Sequence, residues 1–191
     1  MNLIEKAQKF AHEAHDSIGQ KRKYSGEPYW VHTDDVAAQV AAVGGSLNMI
    51  VAAHLHDVLE DVTPLNPEYD GELIAEEFGA EVLALVIELT DVYTKSAYPQ
   101  LNRAARHALE RERIAKISPE AKTIKLADLI NNTRSIVASD KDFASVYLRE
   151  KLELLPYLSE GHGALLNQAA VQTVAGCAAV GIDIPMLAQN S

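Results

Sequence analysis

The chain has 191 residues, with 17 Lys+Arg against 27 Asp+Glu for a formal net charge of −10. Its hydrophobic share of 48% and charged share of 23% exclude a mainly disordered chain, and the length suits one domain with a sizeable core. The acidic balance argues against a general nucleic-acid binder, whose affinity rests on cations meeting phosphates. An anionic small molecule would therefore have to be met by local cations or by a metal. A single cysteine, Cys177, forms no internal disulfide. The charged start Met1-Asn2-Leu3-Ile4-Glu5-Lys6 is expected to open an amphipathic helix and not to serve as a leader peptide, and no apolar run approaches the ~20 residues that span a bilayer. The expectation is a soluble, cytoplasmic protein.

Helical spacing runs through the sequence. Leu3, Ala7, Phe10, Ala11 and Ala14 predict a first helix over about 2–17, with Asn2 and Glu5 at capping-box spacing. A loop over 19–26 carries Lys21, Arg22 and Lys23. Pro28 suits the first turn of a second helix that ends at Gly44-Gly45. A third helix is expected over 47–61, stopping before Pro64, and a loop over 63–71. Two helices follow over 72–78 and 80–89, broken at Gly79, and then an irregular stretch over 90–99. Helices over 101–117, 119–139 with Ser118 as cap and Pro119 at its first position, 140–158 and 163–180 complete the chain. No segment alternates at period two and no repeat is visible, so the fold class is all-α, a single helical domain over 1–191.

The chemistry concentrates at His56-Asp57-Val58-Leu59-Glu60-Asp61. On a continuous helix Glu60 lies beside His56 and Asp57, and Asp61 beside Asp57. Carboxylates crowded at a helix C-terminus repel one another and the helix dipole. The run is thus either a solvated acidic helix end or a cation site. His32, after Pro28-Tyr29-Trp30-Val31, and Asp128, inside the apolar stretch Thr123 to Ile130, bear on that choice. A carboxylate in such a stretch needs a partner. Asn132 lies four residues beyond Asp128 on the same helix face, and Ser135 three further on. Two histidines and two aspartates suit a divalent transition metal such as Mn²⁺, Fe²⁺, Co²⁺ or Zn²⁺.

The set His32, His56-Asp57 and Asp128 resembles the H…HD…D metal site of the HD-domain superfamily of phosphohydrolases. The words around it are similar to those of the hydrolase domain of RelA/SpoT enzymes. Arg22-Lys23-Tyr24-Ser25-Gly26-Glu27-Pro28-Tyr29-Trp30-Val31-His32 resembles RKxSGxPYxxH, and His56 to Asp61 resembles HDxxED. Phe78-Gly79-Ala80-Glu81-Val82 with Leu89-Thr90-Asp91 resembles FGxEV…LTD, and Lys125 to Asp128 with Asn132 resembles KLADxxxN. The likeness covers about residues 3–136, with the helices over 140–180 expected to complete an HD-type bundle around a central metal site. The resemblance implies a stand-alone small alarmone hydrolase that removes pyrophosphate from the 3′ position of (p)ppGpp. It implies His32, His56, Asp57 and Asp128 as ligands of Mn²⁺, and Glu60 and Asp61 as the residues that position or activate water. It further implies Arg22, Lys23, Ser25, Asn132 and Ser135 as contacts to a nucleotide substrate. Hydrolysis of ppApp, a 2′-phosphatase acting on NADPH, and a non-enzymatic nucleotide or metal sensor are the alternatives.

Two departures bear on substrate choice. His54 stands where an apolar residue is usual, and is read as packing or surface. The stretch Tyr98-Pro99-Gln100-Leu101-Asn102-Arg103 lacks the lysine that some relatives carry, leaving Arg103 and Arg106 either as its replacements or as part of a solvated ion-pair face. His12 and His15 are expected at the surface, Cys177 as a small buried residue, and Trp30 as core or pocket wall. The small-residue helix with Ala169, Ala170, Val174, Ala178 and Ala179 suits close packing within the domain or across a homodimer.

Overall fold

The structure, a computed structural model, describes residues 1–184. Among them it contains nine α-helices: α1 (Leu3–Ser17), α2 (Trp30–Ala42), α3 (Leu47–Leu55), α4 (Gly71–Phe78), α5 (Ala80–Leu89), α6 (Arg103–Ile114), α7 (Pro119–Ser139), α8 (Lys141–Leu154) and α9 (Gly163–Ala179). The described residues form no strand; a lone antiparallel bridge joins Lys21 to Pro28. The all-α expectation holds.

Local chemistry explains most boundaries. The Asn2–Glu5 capping box forms in full, each residue's side chain accepting the other's backbone N–H at 2.9 Å. Ser46, Asp70, Asn102, Ser118 and Asp140 cap α3, α4, α6, α7 and α8 in the same way. Gly79, at φ +94, separates α4 from α5 in a conformation that other residues avoid.

Helix α7 is the spine. It packs against α2, α3, α5, α8 and α9, and twelve of its residues are buried, from Ala121 to Ile136. A helix surrounded on most sides need not be amphipathic, which is why its sequence mixes Lys122, Asp128 and Asn131 among apolar residues. Those polar groups are paired. Lys122 meets Glu160 and the Ala115 carbonyl, and Asn131 bonds Asp35. The main core is lined by Ala7, Val36, Val51, Leu55, Val82, Ile124 and Ile130 among others.

Several boundaries differ from expectation, the 101–117 helix being confined to Arg103–Ile114. The predicted 47–61 helix ends at Leu55, and Val58–Val62 form a π-helical turn instead. There the Thr63 N–H reaches the Val58 carbonyl, five residues back, at 3.0 Å. Thr63 Oγ1 stabilises this wide turn by donating to Val58 O and Tyr69 O. The predicted 140–158 helix tightens to a 3₁₀ turn over Leu155–Leu158, where Pro156 has no N–H to continue the α pattern. Helix α2 begins at Trp30, not at Pro28, with Tyr29 in the cap position.

Candidate metal centre and substrate groove

Three parts of the chain meet. Helix α2 supplies His32 from its first turn, the end of α3 supplies His56 and Asp57, and the middle of α7 supplies Asp128. Ligand atoms of His32, His56 and Asp57 all lie within 4.8 Å of one another. Asp128 Oδ1 stands 3.2 Å from His32 Nε2 and 3.9 Å from His56 Nε2, and Asp57 Oδ2 stands 3.5 and 3.1 Å from the same atoms. Both histidines are buried. The four residues picked from the sequence therefore share one centre.

Their tautomers follow from the other ring nitrogen. His32 Nδ1 donates to Asn131 Oδ1 at 2.7 Å, and His56 Nδ1 donates to the Ala53 carbonyl at 2.9 Å. Both Nε2 atoms are then turned into the centre, buried and without a hydrogen-bond partner. Two imidazole nitrogens facing two carboxylates require a positive charge between them, either a proton or a cation. Burial works against a charged His56, but Asp57 and Asp128 outweigh it and push its pKa up to about 9. Burial would raise Asp57, yet His56, His32 and the Tyr29 hydroxyl hold it well below the usual carboxylate range. Asp128 is likewise held low against burial by Lys125, whose Nζ is 3.1 Å from Oδ2, and by the histidines. This donor set fits a divalent cation of mixed N/O preference, with the outer hydrogen bonds that such ligands need already in place.

The π turn alters the expected neighbours of the two remaining acids. Glu60 accepts the Asp91 backbone N–H at 3.0 Å, and burial together with the Asp91 and Asp57 charges pushes it up to about 8. Asp61 accepts from Gln20 Nε2 at 2.8 Å, and burial with the Asp57 charge raises it to about 6. The two acids thus have different settings, which a regular helix would not give them.

A groove of about 550 Å³ adjoins the centre. Arg22, Lys23, Ser25, Asn132 and Ser135 all line it, with Lys21, Tyr24 and Phe143. A second cavity of about 230 Å³ meets it at Asn132 and reaches Asp128, Lys125, Lys151, Arg103 and Arg111. Arg103 lines that cavity while bonded through two nitrogens to Glu150; Arg106 does not line it and donates to the Leu101 carbonyl. The remaining arginines of α6 form ion pairs, Arg111 with Glu153 and Arg113 with Glu110.

Sequence reasoning left several groups out. Tyr29 donates its hydroxyl to Asp57 Oδ2 at 2.7 Å, and Asn131, Gln20, Asp91 and Lys125 all touch site residues. Tyr29, Asp91 and Lys125 sit inside the words RKxSGxPYxxH, LTD and KLAD, which was the available signal. His15 corrects an expectation: it is fully buried, packed on Tyr29 and bonded to Gln20 Oε1 at 2.6 Å. His12 stacks on Trp30, which places Trp30 at the half-exposed edge of α1 and not in the core. His54 is buried against Asp34, and Cys177 is buried as expected.

A family model described as "HD domain" matches residues 7–156. A solved structure of a metazoan ortholog of SpoT, described as hydrolyzing ppGpp and playing a role in starvation responses, is 25% identical, with a TM-score of 0.75. The match covers 92% of this chain and 96% of that one. A probable GTP pyrophosphokinase of Mycobacterium leprae is 33% identical over 85% of this chain and 19% of its own. A guanosine-3′,5′-bis(diphosphate) 3′-pyrophosphohydrolase of Aquifex aeolicus is 29% identical over 84% of this chain and 21% of its own. The chain thus spans about a fifth of the length of these curated relatives.

Proposed function

The chain belongs to the HD domain family, and within that family we propose that it is a metal-dependent (p)ppGpp 3′-pyrophosphohydrolase yielding GDP or GTP and pyrophosphate. The observation that carries this is the pair of orphaned Nε2 atoms of His32 and His56, facing Asp57 and Asp128 in a buried centre at the head of a cation-lined groove. Similarity along most of both chains to a protein described as hydrolyzing ppGpp supports the substrate. We read residues 1–191 as one hydrolase domain.

His32, His56, Asp57 and Asp128 would hold the ion, Mn²⁺ in this reading. When bound, it lowers the pKa of a water and offsets charge on the transferring phosphoryl oxygens. The chain's own groups do the rest. Arg22 and Lys23 meet the nucleotide's phosphates, while Ser25, Asn132 and Ser135 contact its sugar and base. Water oxygen bonds to the phosphorus attached to ribose O3′, the P–O3′ bond breaks, and O3′ takes up a proton. Asp61, the more acidic of the two, takes the proton that the water loses, while Glu60, fixed by the Asp91 backbone N–H, orients the water. Divergent pKa values for two neighbouring acids mark distinct roles.

Purified protein with Mn²⁺ is expected to release pyrophosphate from ppGpp, and His56→Ala or Asp57→Ala to abolish it. Release that persists in those variants, or after EDTA, contradicts the proposal. Orthophosphate as the product would point to a phosphatase, and tight nucleotide binding without turnover to a sensor.

A further inference from the structure

We infer that Arg22, beyond any contact with nucleotide, is a positioning residue for the metal ligands. The inference rests on the metal-site reading above but requires no turnover. Arg22 lies half-buried in a tight loop: its N–H donates to Glu27 O at 2.8 Å, Gly26 N–H returns to Arg22 O at 3.0 Å, and Gly26 has φ +73. The loop leaves little freedom in where the guanidinium can go.

From there one guanidinium reaches three of the four ligands through one intermediary each. Nη2 donates to Asn131 Oδ1 at 3.0 Å and to Ser135 Oγ at 3.1 Å. The same Asn131 oxygen accepts the His32 Nδ1 proton, and Asn131 Nδ2 is tied to Asp35, so the amide cannot reverse without losing three bonds. Nη1 donates to Asn132 Oδ1 at 3.1 Å, and Asn132 Nδ2 donates to Asp128 Oδ1 at 2.6 Å. The guanidinium also lies 5.9 Å from the centre of the Tyr29 ring, whose hydroxyl donates to Asp57. His56 alone is held by backbone. The planar fork of arginine lets one side chain serve both asparagines at once, which lysine's single ammonium does not. Arg22 thereby fixes the direction of the Asn131 and Asn132 amides, and with them the His32 tautomer and the Asp128 carboxylate.

The sign of the effect separates this role from simple electrostatics. Removing a positive charge near a cation site should tighten cation binding by Coulomb's law; loss of a positioning group should weaken it. Mn²⁺ affinity of the metal-free full chain, measured calorimetrically without nucleotide, reads this directly. Arg22→Ala is expected to weaken Mn²⁺ binding about tenfold or more, the usual effect of losing an outer hydrogen bond to a ligand. Arg22→Lys should lose most of the same, and Arg22→Ala with Asn131→Ala should be no worse than the poorer single variant. Lys21→Ala, on the same loop but outside the network, gives the bare charge effect. Unchanged or tighter Mn²⁺ binding in both Arg22 variants overturns the inference, leaving Arg22 as a nucleotide contact seen only in KM. A wild type that binds Mn²⁺ but leaves ppGpp intact would sink the hydrolase proposal and leave this inference standing.

Discussion

His56 and Glu60 show how the site trades stability for metal affinity. Without metal, the charge conflict at the centre is relieved by protons, with His56 raised to about 9 and Glu60 to about 8. A His56 pKa above its ordinary 6.5 contributes stability that is full below 6.5 and is lost as pH climbs through 9. Glu60 acts in the same direction, because the unfolded chain gives up that proton near 4.5 while the folded chain holds it to about 8. Asp57 and Asp128, held low, contribute stability that is constant at neutral pH and is lost only on strong acidification, and Lys151, lowered to about 8 by burial, opposes the trend only above that value. Metal-free protein is therefore expected to melt several degrees lower at pH 8 than at pH 6.5, at about 2–4 °C per kcal/mol for a chain of this size. Saturating Mn²⁺, which needs deprotonated ligands, should remove that drop. Equal melting temperatures for the metal-free protein at both pH values would refute the assignment of these protons.

Among the elements, the π turn after α3 carries the most function for its length. A regular helix would stack Glu60 on His56 and Asp57; the wider turn instead sends Glu60 to the Asp91 backbone and Asp61 to Gln20. The His-Asp…Glu-Asp spacing reads identically in either geometry, so nothing local distinguishes them. The deciding contacts come from Thr63 and Tyr69, beyond the run. Thr63→Val keeps the shape and removes both bonds. It should cost about 1 kcal/mol of stability and lower kcat about 10- to 100-fold through displacement of the acids, with KM little changed. A kcat within twofold of wild type would show that the turn holds its geometry without Thr63.

The bundle as a whole explains what was legible in the sequence and what was not. Capping residues and the 3.6-residue period gave nearly every helix, and the spaced words gave His32, His56, Asp57 and Asp128 together with the groove residues. Gln20 and Asn131, and the contact that Tyr29 makes, escaped because the partners lie far off in sequence: 28 residues for Tyr29 with Asp57, 41 for Gln20 with Asp61, 99 for His32 with Asn131. Such pairs exist only once α2, α3 and α7 have packed. His15 differs in that its partners Gln20 and Tyr29 are near in sequence, yet they cover it only when the 19–29 segment folds back over α1. The most direct measurement of the central claim is an anomalous difference map at the manganese absorption edge, from crystals grown with Mn²⁺. The account predicts one dominant peak within bonding distance of His32 Nε2, His56 Nε2, Asp57 and Asp128. A map with no peak there, or with its peak bound by other side chains, would contradict it.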